Sequence, residues 1–143
     1  MKIYVYNFSD LTLIDCLDTC YNPYGLCALN PDSSGSQAVL AIPHTDKGKV
    51  KVRSFSTDKK LETIIQCHQG SIAAMALNKK GNLLATASEK GTIVRVWKVD
   101  TEKPLSVGVF RRGADKAEIN DIQFSKMSNY FSVSSDHTTI HIF

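Results

Sequence analysis

Two adjacent arginines, Arg111 and Arg112, are the residues of this sequence best suited to chemistry with an anion. A guanidinium is a planar fork of five N–H donors that matches the oxygens of a phosphate. The pair follows an alternating apolar run, Pro104-Leu105-Ser106-Val107-Gly108-Val109-Phe110, and precedes Gly113. Such a run reads as a strand, and successive strand side chains leave on opposite faces. Arg111 and Arg112 therefore reach into two pockets, one on each side, rather than sharing one. The plainer alternative is a solvated surface pair, with Gly113 closing a turn.

Hydroxyls and imidazoles stand on both sides of the pair. Upstream, Thr86 and Ser88 share one strand face within Ala85-Thr86-Ala87-Ser88-Glu89-Lys90-Gly91-Thr92, and Arg95 follows on the next strand. Downstream comes Ser134-Ser135-Asp136-His137-Thr138-Thr139-Ile140-His141. Thr139 and His141 have equal parity and face one side, about 7 Å apart by strand rise. Each hydrogen bond to a charged group contributes about 1.5–3 kcal/mol net, and a histidine beside phosphate gains a proton. Taken singly, these are ordinary strand and turn residues. Together, flanking a double arginine, they compose a phosphate nest on either side.

Competing chemistries fit less well. In a strand, His137 and His141 would lie about 13 Å apart, too far to share one metal ion. Cys16, Cys20, Cys27 and Cys67 form no Cys-x-x-Cys pair and read as structural thiols in a reducing compartment. No nucleophile has an identifiable base and orienter, so no enzyme and no cofactor are expected. The glycines make no phosphate-binding loop. Lys47, Lys49, Lys51, Lys59 and Lys60 form a loose cluster that reads as a solvated face or an aid to anionic membranes. Nucleic acid is not expected, for want of a basic stripe with stacking aromatics. The net charge of +3 and pI near 8.7 favour an anionic partner only weakly. No apolar run approaches the roughly 18 residues of a membrane span. Met1-Lys2-Ile3-Tyr4-Val5-Tyr6 lacks a signal peptide's apolar region. A cytosolic protein, peripheral where it meets membranes, is expected.

Four families of repeated strand position these residues. Gly25 to Asn30, Ile72 to Asn78 and Ile119 to Ser125 form the first, their closing residues Asn30, Asn78 and Ser125 recurring about 47–48 residues apart, just beyond the 40–45 of WD-type blades. Ala38 to Ile42, Leu83 to Ser88 and Tyr130 to Ser135 form the second. Lys49 to Phe55, Thr92 to Trp97 and Thr139 to Phe143 form the third, with Lys2 to Tyr6 an earlier member. Leu11 to Leu17, Leu61 to Cys67 and Leu105 to Arg111 form the fourth. Turn residues punctuate them, as in Asn30-Pro31-Asp32-Ser33-Ser34-Gly35 and Asp46-Lys47-Gly48. Short strands, four to a repeat, predict an all-β WD-repeat propeller. The blades read as 1–20 (the end of one), 24–68 and 71–112 (both full), and 117–143 (three strands of another). That ring is incomplete, so a segment of a longer protein or a truncated product is expected, with open edge strands at both ends.

In that blade setting the sequence resembles the PROPPIN family, specifically its WIPI-type members and the third human-type WIPI subgroup most. The residues that carry the likeness are Thr19-Cys20-Tyr21-Asn22-Pro23, Gly25-Leu26-Cys27, Ala85 to Thr92, Arg111-Arg112-Gly113, Val133 to His137 and Thr139 to Phe143. The resemblance implies seven blades and two lipid sites. It maps the first site to Thr86, Ser88, Gly91, Thr92, Arg95 and Arg111. It maps the second to Arg112, Gly113, Ser135, Thr139 and His141, with His137 nearby. The ligands implied are phosphatidylinositol 3-phosphate and phosphatidylinositol 3,5-bisphosphate. The role implied is an effector in autophagosome formation that recruits lipid-transfer proteins, peripheral on phagophore or endosomal and vacuolar membranes. Trp97 stands where the family usually has Phe, and Thr138 where it often has Gly or Glu. The family's apolar membrane-inserting loop would follow Phe143, and its first two blades and most of the third would precede Met1. A segment without them leaves a second reading, a scaffold for protein interactions alone.

Overall fold

The computed structural model describes residues 1–31, 38–55, 61–100 and 103–143. Part of the expected turn after Asn30, from Asp32 to Gly35, lies outside the described residues, as do Lys59 and Lys60 of the lysine cluster.

Among the described residues the regular elements are all strands. They are β1 (Lys2–Tyr6), β2 (Leu13–Asp18), β3 (Ala28–Leu29), β4 (Val39–Pro43), β5 (Lys49–Ser54), β6 (Glu62–Gln66), β7 (Ile72–Leu77), β8 (Leu83–Ser88), β9 (Ile93–Lys98), β10 (Leu105–Arg111), β11 (Ile119–Phe124), β12 (Phe131–Ser135) and β13 (Ile140–Ile142). They build four antiparallel sheets in chain order: β1-β2, β3-β4-β5-β6, β7-β8-β9-β10 and β11-β12-β13. Each strand pairs with its neighbour in sequence, so every sheet is a meander and the four do not close on one another. The innermost strand β7 lies beside both β3 and β11.

Sheet faces meet to make three apolar seams. Ile3, Val5 and Leu17 of the first sheet pack on Leu40 and Ile42 of the second. Val50, Val52 and Ile65 of the second meet Met75, Leu77 and Leu84 of the third. Ala85, Val94 and Val96 of the third meet Ile122, Phe131 and Val133 of the fourth. Leu84 and Ala85 are neighbours on β8 and serve different seams, which is what strand alternation does to a sheet covered on both faces. For the same reason β4 is buried at every position.

Two asparagines tie hairpin to hairpin across these seams. Asn30 Oδ1 accepts from the amide of Val39, while its Nδ2 donates 3.4 Å to the carbonyl of Lys79 in the next blade. Asn78 Oδ1 accepts from the amides of Asn82 and Leu83, and its Nδ2 donates 3.0 Å to Ser128 Oγ in the blade after. At the third repeat Ser125 Oγ accepts from the amide of Tyr130.

The first innermost strand departs from the sequence expectation. Pairing is confined to Ala28 and Leu29 rather than starting at Gly25. Gly25 sits at φ 64°, and Asn22 uses both ends of its carboxamide on Leu26, accepting from its amide at 2.8 Å and donating to its carbonyl at 3.0 Å. A segment whose backbone groups are held by a side chain in this way has none left for a ladder.

Candidate anion-binding site

The meander puts alternate connections at opposite ends of the sheets. At one end lie 44–48, 67–71, 89–92, 112–118 and 136–139; at the other lie 78–82 and 125–130. Apart from Thr86 and Arg95, which sit further along their strands, the candidate anion-binding residues gather at the first end.

Phe110 fixes the direction of the two arginines. Its ring meets Phe131 edge-on at 4.9 Å and lies 5.4 Å from Phe143, so it is sunk into the seam between the third and fourth sheets. Arg111 must then leave on the other face, where it pairs across the ladder with Ile93 and, like Val109 two residues earlier, is exposed. Its guanidinium has no hydrogen bond or ion pair among the described residues, which leaves all five donors available. Arg112, one residue on, is 7% exposed. Its Nε donates 2.7 Å to the carbonyl of Gly91, and one terminal nitrogen donates to the carbonyl of Asp115. Two of its five donors are occupied, and three remain.

The turn from Ser88 to Thr92 is bolted to this strand end. The carbonyl of Thr92 accepts from the amides of Arg112 and Gly113, at 2.9 and 3.3 Å. Gly91 has φ 66°, and a Cβ there would lie 1.9 Å from the carbonyl oxygen of Ala117. Only glycine lets the turn approach the 112–118 connection so closely. Ser88, at the end of β8, is buried. On the far side Ser135 ends β12 opposite Ile119, and Asp136 exchanges bonds with Glu118 through its amide and its Oδ1, both at 3.0 Å. His137 and Thr139 are exposed; Thr139 Oγ1 is 3.4 Å from His141 Nε2, and the His141 ring stacks on Phe143.

Arg95 lies between the second and third blades, where its Nη1 donates 2.8 Å to the carbonyl of Cys67. Its Nε and Ser135 Oγ are the two buried polar side-chain atoms without a hydrogen bond among the described residues. One belongs to each of the two residue sets flanking the arginines. Such orphaned groups are uncommon, because each forfeits its desolvation energy.

The sequence expectation counts Thr86 among the ligand groups, and the structure gives its hydroxyl another occupation. Thr86 is fully buried. Its Oγ1 sits 3.1 Å from His68 Nε2, accepts from Trp97 Nε1 at 3.3 Å and donates to the carbonyl of Arg95 at 3.4 Å. A longer protein can only add cover, so this hydroxyl supports the blade from within. Sequence pattern alone does not join His68 and Trp97 to this cluster; the polar Thr86 inside an apolar strand and the single tryptophan are the signals it offers. Burial lowers the His68 imidazole pKa, with the Thr86 carbonyl opposing and the Arg95 charge reinforcing the shift. Burial pushes the neighbouring Cys67 thiol up to about 12. Both are neutral at pH 7, as structural groups should be.

Comparison with known proteins decides the family. The PROPPIN family model matches residues 1–143. The chain belongs to the PROPPIN family. It is 41% identical over 145 residues to autophagy-related protein 18 of Dictyostelium discoideum, covering 99% of this chain and 37% of that protein. With autophagy-related protein 18e of Arabidopsis thaliana it shares 37% over 142 residues, covering 99% and 36%. Among solved structures, Hsv2p of Kluyveromyces lactis superposes with a TM-score of 0.81 at 26% identity, over 99% of this PROPPIN chain and 43% of that one. KlAtg21, solved in complex with the coiled coil of AgAtg16, superposes with a TM-score of 0.79 at 28% identity, over 99% and 46%. The four sheets are thus blades of a β-propeller, and this PROPPIN chain spans less than half the length of each of these relatives.

Proposed function

We propose that this chain carries the lipid-recognition blades of a non-enzymatic membrane effector of autophagy. It binds phosphatidylinositol 3-phosphate and phosphatidylinositol 3,5-bisphosphate in two pockets, one arginine to each. Ser88, Gly91, Thr92, Arg95 and Arg111 form the first. Arg112, Gly113, Ser135, His137, Thr139 and His141 form the second. The blades divide as 1–20, 24–68, 71–112 and 117–143. Bound to phagophore or endosomal membrane, the effector recruits lipid-transfer proteins.

The observation that carries this reading is the unequal setting of two neighbouring arginines. Arg111 offers an unpartnered guanidinium to solvent, while Arg112 keeps three donors on a guanidinium held rigid by two carbonyls. One exposed and one anchored cation, on opposite sides of a strand end, suit two phosphorylated headgroups in a plane. Each pocket is weak alone, and engaging both supplies the avidity.

Liposome flotation tests this. The chain should float with vesicles containing either phosphoinositide and not with phosphatidylcholine alone, and added salt should weaken it. Arg111→Ala should lose most of the flotation. Unchanged flotation of that variant would sink the lipid reading.

A further inference from the structure

The opposite end of the blades carries a basic groove that the lipid reading does not use. It lies between the 78–82 loop of the third blade and the 125–130 loop of the fourth, and encloses about 390 Å³. Lys79, Lys80 and Lys126 line it, and no carboxylate does among the described residues. All three lysines are exposed, and Lys80 and Lys126 have no ion pair among the described residues. Asp100, in the neighbouring groove beside Lys80, lies 4.0 Å from the amine of Lys98.

This groove is preformed. Asn78 Nδ2 bonds Ser128 Oγ across it, so both walls belong to one clasp. Ser128 holds φ 59°, a left-handed conformation a serine keeps only when its surroundings fix it. Met127, 76% exposed, stands in the wall beside Lys126 and gives an apolar contact next to the charges.

We propose that this groove docks an acidic peptide segment of a partner protein. The ammonium groups of Lys80 and Lys126, with no carboxylate among the described lining residues, are complementary to glutamate or aspartate side chains. A concave wall admits a carboxylate on a flexible stem, whereas a planar bilayer meets only the rims. Among the described residues no aromatic ring lines the groove to stack a nucleobase. Because the groove and the Arg111–Arg112 strand end lie at opposite ends of the sheets, a peptide and an anionic ligand can be held together.

The probe is a fluorescein-labelled hexapeptide of alternating glutamate and leucine, titrated with the whole chain and read by anisotropy. It should bind, with affinity falling as salt rises. Lys80→Glu with Lys126→Glu should weaken binding by about tenfold or more, and Lys80→Gln with Lys126→Gln by less, since only the former adds repulsion. All are exposed positions, and circular dichroism should be unchanged. Arg111→Ala should bind the peptide like wild type, which separates this site from the lipid reading. The proposal is overturned if wild type does not bind, if the charge-reversed variant binds equally well, or if a glutamine–leucine peptide binds as tightly. It is also overturned if the lysine variants lose flotation on phosphatidylserine vesicles while keeping the peptide.

Discussion

Removing the two arginines one at a time should have opposite consequences for folding and binding. The Arg112 guanidinium donates to two backbone carbonyls. A hydrogen bond to a charged group contributes about 1.5–3 kcal/mol, and a buried carbonyl left unpaired costs about 1–3 kcal/mol. Asp115 lies in an exposed connection where water replaces the lost donor; Gly91 is buried and gains none. Arg112→Ala should therefore cost about 2–4 kcal/mol, or about 6–12 °C of melting temperature for a chain of this size. Arg111 has no bond to lose, and Arg111→Ala should stay within about 0.5 kcal/mol of wild type. Arg112→Lys keeps the charge but replaces the fork with one compact ammonium, and should fall between. Thermal melts by circular dichroism, paired with flotation of the same preparations, read both quantities. If Arg111→Ala lowers the melting temperature as far as Arg112→Ala, the assignment of one arginine to solvent and one to the fold fails. A variant lacking both would mix unfolding with lost binding.

Thr86→Val keeps the shape of a fully buried side chain and strands Trp97 Nε1, while His68 Nε2 retains the Thr86 carbonyl; about 1–2 kcal/mol should be lost in denaturant unfolding, with no direct effect on phosphoinositide affinity. Gly91→Ala drives a Cβ against the Ala117 carbonyl and a side chain into a left-handed backbone, so a loss above about 3 kcal/mol is expected, seen as a lower melting temperature. His68 has a folded pKa below its unfolded value, so its contribution is present above about pH 6.5 and is lost as pH falls through the folded value. The melting temperature should drop between pH 7.5 and pH 5.5, and His68→Gln should flatten part of that slope.

Much of the fold is legible because the strands are short, β-branched and punctuated. Leu105 to Arg111 is a strand over its whole expected length, and Leu83 to Ser88 likewise. Gly25 to Asn30 looks like a third copy of the innermost strand yet pairs only at Ala28 and Leu29, because Asn22 binds Leu26 from outside the pattern. For the candidate site, alternation gives the opposed directions of Arg111 and Arg112 but not their depth. Depth depends on Gly91, twenty-one residues away, whose carbonyl receives the Arg112 Nε. The service of Thr86 to His68 and Trp97 is equally invisible, since it needs two strands and a connection brought together by packing.

The asparagine contacts between hairpins have a mechanical consequence. Each carboxamide has two ends, so Asn30 and Asn78 can brace their own loop and latch the following one. Ser125 stands in the same place with a single hydroxyl, which accepts within its own hairpin and cannot extend an amide arm onward. The latches along the array are therefore unequal. A blade set beyond the fourth sheet would be held by its apolar seam without that bolt. Under tension, or in the thermal breathing that hydrogen exchange detects, the propeller should begin to part there, after the serine, before either asparagine lets go.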